Sequence, residues 1–296
     1  MEVFAALSTG QAVRITVPLH DGDSDESAGI KPFVEKLDSD GSVFFASKDH
    51  LIKKSGFPDS ASLHFVCGKD EGGLIFVDKD LSVFELENSG AIKKLFQLED
   101  PVDYVAYKNG SLLTVGKERL AKLYKFQDGS CLFTAKNPIS KLDLPVPRDD
   151  CSAAFLVENS QFLVGTRSGL IRKFDIRKAN KPVWEKSFSS KPIKFIHVFQ
   201  DQTIIWIDAK GRAELYDIAK NRSLGVFKGL AGSVSCMFAT EDHVVFGTGM
   251  NAIMIYERAS RRMIASASVP GLPLRLSVTF DQDKDALFDS MQKVSN

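Results

Sequence analysis

The stretch Phe162–Arg177, FLVGTRSGLIRKFDIR, decides how the rest of the 296-residue chain is read. An apolar run, FLVGT, meets a short turn. An alternating run, LIRKFDI, follows and stops at an acid-containing end. Two strands joined by a tight turn account for this pattern. The question it poses is whether the hairpin stands alone or recurs.

It recurs. Segments of the same build begin at Leu74 (LIFVDKDLSVFEL), Leu112 (LLTVGKERLAKLYKF), Ile204 (IIWIDAKGRAELYDI) and Val244 (VVFGTGMNAIMIYER). Weaker copies begin at Val3 and Val43. The late aromatics Phe84, Tyr124, Phe174, Tyr216 and Tyr256 set a period of about 40–45 residues, and four short strands per period is the β-propeller signature. The longest interval holds an insertion, NPISKLDLPVPRDD (Asn137 to Asp150), whose Pro138, Pro145 and Pro147 suit a loop better than a strand. The fifth unit then reads SAAFLVE, FLVGT, LIRKFDI, PVWEKSF, and the sixth IKFIHVF, TIIWID, AELYDI, SLGVFK. Val, Ile and Phe dominate both, as half-buried strands require, and the 22 phenylalanines suit apolar filling between blades. Seven units predict an all-β, seven-bladed WD-repeat-like β-propeller over residues 1–280. The first unit lacks a strand on its N-terminal side, so PLRLSVTF (Pro273 to Phe280) is expected to complete it and protect the sheet edge. Leu287, Met291 and Val294 recur at helical spacing, which predicts a short C-terminal helix within 281–296.

Composition narrows the function. Thirty-eight basic and 38 acidic residues give zero formal net charge, against a chain that coats nucleic acid wholesale. Cys67, Cys131, Cys151 and Cys236 are scattered without CxxC spacing. They read as reduced structural thiols rather than a disulfide framework or zinc site. MEVFAALSTGQ lacks the build of a secretory signal, and no apolar run approaches the roughly 18 residues of a membrane helix, so no membrane partner is expected. NGS at Asn109 and NRS at Asn221 match the glycosylation pattern but read as turns.

Few motifs suggest chemistry. GTGMNA (Gly247 to Ala252) fits GxGxxA, yet the dinucleotide fingerprint needs a following helix and AIMIYER alternates like a strand. His20, His50, His64, His197 and His243 show no metal-ligand spacing. No nucleophile elbow appears. The chain is therefore expected to be non-enzymatic, without cofactor or metal. A propeller hydrolase, which predicts bound metal, is a third reading behind the two below. DGDSDE (Asp21 to Glu26) reads as a solvated loop or as a lure for a basic partner, with Ser24 and Ser27 as modifiable hydroxyls.

Turns between second and third strands emerge on the same rim as the connections between blades. Basic residues there should converge: Lys48, Lys79, Lys117, Arg119, Arg167 and Lys210 from turns, and Lys136, Lys141, Arg148, Lys191 and Lys228 from connections. Nearby acids, among them Asp49, Asp80, Glu118, Asp149 and Asp150, allow an ordinary mixed-charge surface. The alternative is a docking face with phosphate or acidic contacts, using forked Arg and point-charge Lys groups. Trp206 suits the core, and Trp184 is a weaker anchor candidate.

Six stretches carry a family resemblance. GKE (Gly116 to Glu118), LFTAKN (Leu132 to Asn137), LDLPVP (Leu142 to Pro147), GTRSGLIRKFDIR, KGLAGSV (Lys228 to Val234) and DALFDSM (Asp285 to Met291) occur in this order. From about Gly116 onward they resemble the WD-repeat ribosome-assembly factors that bind nucleolar precursors of the large ribosomal subunit. The FDI, YDI and YER endings resemble degenerate WD repeats lacking Gly-His and Trp-Asp. The resemblance implies a scaffold that contacts assembly factors and precursor rRNA, is released by an AAA-type ATPase, resides in the nucleus and nucleolus, and is monomeric outside the particle. The contact residues bet on are Lys117, Arg119, Lys136, Asn137, Asp143, Arg148, Asp150, Arg167 and Lys228. Family members usually carry a basic tail linked to nucleolar targeting. No basic run follows the helix here, so either that tail was trimmed or targeting depends on a partner. A second reading rests on FDIR (Phe174 to Arg177), which resembles the W-D-x-R box of substrate receptors in cullin-type ubiquitin ligases.

Overall fold

A computed structural model describes residues 1–7, 12–17, 33–37, 43–46, 51–54, 63–68, 74–78, 80–86, 92–116, 118–136, 149–157 and 160–279. Every regular element among them is a β-strand. The acidic run Asp21 to Glu26 and the expected helix within 281–296 lie outside the described residues, as do Lys117, Asn137, Asp143 and Arg148.

The chain divides into two compact units, Gly56–Val234 and a second made of Met1–Ser55 with Ser235–Asn296. In the first, sixteen described strands form four antiparallel sheets, each built from four consecutive strands. Numbered by repeat, the third sheet is Leu63–Gly68, Leu74–Asp78, Ser82–Leu86 and Ile92–Gln97. The fourth is Tyr104–Lys108, Ser111–Val115, Lys122–Lys125 and Cys131–Thr134. The fifth is Asp150–Val157, Gln161–Thr166, Leu170–Asp175 and Trp184–Ser187. The sixth is Ile193–Val198, Thr203–Asp208, Ala213–Asp217 and Arg222–Val226.

The opening stretch is the central hairpin of the fifth sheet, with Phe162 opposite Phe174 and Gly165 opposite Ile171. Its two rings stack at 5.2 Å. Phe133, from the fourth sheet, packs edge-on against both, at 5.6 and 6.2 Å. Phenylalanine therefore fills the space between consecutive sheets, as its abundance suggested. Second strands Ser111–Val115 and Thr203–Asp208 are buried along their whole length, and Gln161–Thr166 and His243–Thr248 after their first residue. Neighbours on both sides and sheets on both faces make continuous apolar sequence the stable choice there. Fourth strands are sheet edges and more exposed: Trp184–Ser187 alternates, whereas Ile92–Gln97 and Arg222–Val226 are exposed over their first residues, with half-buried residues following.

The other unit holds a four-stranded sheet whose first strand, Val234–Ala239, begins at the boundary residue and is followed by His243–Thr248, Ala252–Glu257 and Met263–Ser268. It also holds a hairpin of Val43–Ala46 with Leu51–Lys54. Its remaining sheet runs Pro273–Thr279, Glu2–Leu7, Ala12–Thr16, Phe33–Leu37, so the late strand does complete the first repeat. Glu2 pairs with Thr279 and Ala5 with Leu276. GTGMNA spans the turn between two strands, and a strand, Ala252–Glu257, follows it. That excludes the dinucleotide geometry. In NGS, Asn109 and Gly110, both left-handed, form a two-residue turn between paired Lys108 and Ser111.

Candidate interaction surface

The turn after each second strand follows one rule. Its third residue has positive φ in five repeats: Leu81 at 63°, Glu118 at 59°, Gly169 at 86°, Gly211 at 89° and Asn251 at 56°. At two of these positions a neighbouring backbone also comes close. A Cβ on Gly169 would stand 1.9 Å from the Ser189 carbonyl oxygen, and one on Gly211 2.0 Å from that of Gly232. Gly116 similarly leaves room for the Pro101 carbonyl, which a Cβ would meet at 2.3 Å. Glycine at these sites lets a turn lie directly on a connection between sheets.

Side chains extend the contacts. Asp103 N–H donates to Val115 O, holding the Leu98–Asp103 connection against the fourth sheet's turn. Asp100 on this connection accepts Lys122 Nζ at 2.7 Å and stands 3.2 Å from Arg119 Nε. Lys122 holds the Asp100 carboxyl below its usual range, and Asp100 pushes Lys122 up to about 12. Arg167, from the fifth sheet's turn, donates Nη2 to Asp103 Oδ2 at 2.6 Å. Asp149 accepts the N–H of Arg167 at its carbonyl and that of Ser168 at Oδ2. Further along, Ser189 Oγ donates to Asp208 Oδ2, while Asp208 Oδ1 accepts the N–H groups of Lys210 and Arg212. One series of contacts thus links turns and connections from Leu98 to Gly232.

The structure brings together Arg119 and Arg167 through two acids three residues apart, Asp100 and Asp103. Lys136 and Lys228 are exposed on connections. Asp150 is different. It is fully buried, accepts Ala121 N–H at 3.1 Å and stands 3.6 Å from buried Arg172 Nη1. Arg172 Nε in turn donates to Glu185 at 2.6 Å. Asp150 is therefore corrected from a surface contact to an internal tie between the fourth and fifth sheets. The acids Asp100 and Asp103 were not singled out in the sequence. Repeat alignment holds the signal for one of them, because Asp103 and Asp149 each stand one residue before a first strand.

Other candidates settle into the fold. Trp206 is buried, and Trp184 is half-buried against Phe188 at 6.1 Å. In FDIR, Asp175 accepts Arg177 Nε at 3.0 Å and Nη2 at 2.9 Å. These bonds hold the Asp175 carboxyl well below the usual range and occupy the arginine fork that the ligase reading would use. The Cys151 thiol donates to Ile193 O, and burial pushes it up to about 12, as suits a structural thiol. Among the described residues no group of three or more His, Cys, Asp or Glu side chains is placed to hold a metal ion.

Repeated four-stranded antiparallel sheets, with turns and connections supplying the polar surface, define a WD-repeat-like β-propeller protein. Over 125 residues the chain is 32% identical to WD repeat-containing protein 74 of Bos taurus, covering 41% of this chain and 32% of that protein. The Mus musculus protein of the same name is 30% identical over 125 residues, 41% of this chain and 33% of that protein. Ribosome biogenesis protein nsa1 of Schizosaccharomyces pombe is 24% identical over 140 residues, 47% of this chain and 35% of that protein. The matches thus span about a third of each relative's length. No protein-family model matches the chain.

Proposed function

We propose that this protein is a non-enzymatic scaffold of ribosome biogenesis that joins nucleolar precursors of the large subunit. The observation that carries this reading is the similarity to a ribosome biogenesis protein across 47% of the chain. The linked turns support it physically. Rigid sheets present loops in fixed positions, so little ordering entropy is lost when a partner docks. Acids interleave with the cations, which favours a protein-dominated interface with local contacts to the precursor rRNA backbone. Arg119, Lys136, Arg167 and Lys228 are the proposed contacts, joined by Asn137, Asp143, Arg148 and Lys117 from outside the described residues. Release by an AAA-type ATPase, a nucleolar location and a monomeric state outside the particle complete the proposal.

Sedimentation of the tagged protein from nuclear extract tests it, with precursor RNA probed in each fraction. Co-migration with large-subunit precursor RNA is the expected outcome. Confinement to light fractions at both low and moderate salt would overturn the assignment.

A further inference from the structure

A cleft of about 490 Å³ opens where the fourth sheet's turn meets the end of its last strand. Arg119, Lys122 and Lys136 stand around it with one acid, Asp100, and its wall includes Leu120 and Thr134. Arg119 and Lys122 share Asp100, while Lys136 is exposed and has no ion-pair partner among the described residues. Lys122 also stands 3.6 Å from Glu99 Oε2, so three cations face two carboxylates and Lys136 carries the local excess of positive charge, in a recess whose wall includes aliphatic Leu120 and Ala135. Leu132 shares a strand face with Thr134 and is 52% exposed, so an apolar contact continues outward from the charged pocket.

We propose that this cleft receives an acidic side chain of a partner protein, a Glu or Asp flanked by an apolar residue that covers Leu132. The inference deepens the scaffold reading and rests on it for the identity of the partner. Protein is favoured over RNA for two reasons. Single-stranded nucleic acid is held by a continuous cationic track with stacking aromatics. Here Asp103 takes up Arg167, the next cation along, and the lining has no aromatic ring. A carboxylate needs only the recess itself, and a charge-assisted bond to Lys136 or Arg119 supplies its affinity.

The test uses the whole chain and a fluorescein-labelled peptide of alternating Glu and Leu, followed by anisotropy, with a uridine oligonucleotide as the competing probe. The expected result is peptide binding that weakens about tenfold in Lys136→Glu and several-fold in Leu132→Ser. Unchanged urea midpoints in both variants would show that neither acts by unfolding. No peptide binding, equal binding by wild type and Lys136→Glu, or selective loss of oligonucleotide binding in Lys136→Glu would each overturn the proposal. Sedimentation of Lys136→Glu with precursor particles is measured in parallel. Retention in the particle without peptide binding would sink the cleft assignment and leave the scaffold reading standing.

Discussion

Arg167 and Asp103, 64 residues apart in the chain, are joined by a hydrogen bond of 2.6 Å on the exposed side of two successive sheets. The two side chains are 46% and 35% exposed. Water screens such a pair, so its loss costs at most about 1 kcal/mol. Its larger effect is on surface charge. Asp103→Asn releases a guanidinium, whereas Arg167→Ala leaves an uncompensated acid. We expect both variants to melt within a few degrees of wild type. Particle retention on gradients should rise in Asp103→Asn and fall in Arg167→Ala. Movement of both in the same direction would remove Arg167 from the contact surface.

Equivalent turn positions should respond oppositely to substitution. Gly169→Ala places a Cβ against the Ser189 carbonyl and forces a side-chain residue to φ 86°. Backbone strain and overlap together should cost about 2–4 kcal/mol. Glu118 is exposed at φ 59°, so Glu118→Gly relieves the left-handed penalty. Part of that gain is offset by the freer unfolded chain, leaving about 0.5–1 kcal/mol of stabilisation. Urea midpoints of the two variants provide the check, and stabilisation by Gly169→Ala would refute the account of the turns.

Much of this architecture was legible because its cause is local. Buried second strands force continuous apolar runs such as FLVGT and TIIWID, and the edge strand Trp184–Ser187 alternates. The repeated turn exposes the period even where Gly-His and Trp-Asp are missing. Pairing of Pro273–Thr279 with Glu2–Leu7 followed from counting strands per repeat. The surface was harder to read. Arg119 and Arg167 could be placed on turns, but their neutralisation by Asp100 and Asp103 depends on side-chain geometry across sheets. Asp150 looked like loop charge because it closes a Pro-rich, polar insertion. Its burial is set by Ala121 and Arg172, which lie 29 residues before it and 22 after.

Asp150 should leave a pH signature. Burial pushes its carboxyl up to about 6, against the opposing pull of Arg172 and with a further push from Asp149. Its Oδ1 has no hydrogen-bond partner. The folded state therefore binds a proton more tightly than the unfolded chain, whose carboxyl titrates near 3.8. By linkage, this contribution is fully present below about pH 4 and is lost as pH rises through about 6. Asp150→Asn can keep an acceptor for Ala121 N–H but has no such titration. Relative to that variant, wild type should gain about 1 kcal/mol between pH 7 and pH 5. Paired urea titrations at the two pH values isolate the effect from other carboxylates. A constant difference between the proteins would show that Asp150 titrates normally.

The late strand makes a prediction about solubility as well as stability. Pro273–Thr279 supplies the antiparallel partner of Glu2–Leu7, and Leu276 joins Val3, Ala5 and Ile15 in one buried cluster. A chain ending at Leu272 would leave Glu2–Leu7 with an unpaired row of backbone groups and uncover that apolar face. Such an edge is a template for intermolecular pairing. Leu276→Asp is the point-substitution counterpart, since it places a charge in the cluster while keeping the strand's length. Both changes should move the protein from its wild-type elution position into the void volume during size-exclusion chromatography. The exposed change Leu274→Asp on the same strand should leave it at the wild-type elution position, because Leu274 is 44% exposed. A truncation that stays out of the void volume would mean that the first repeat is stable with three strands, and the late strand would then be dispensable for its edge.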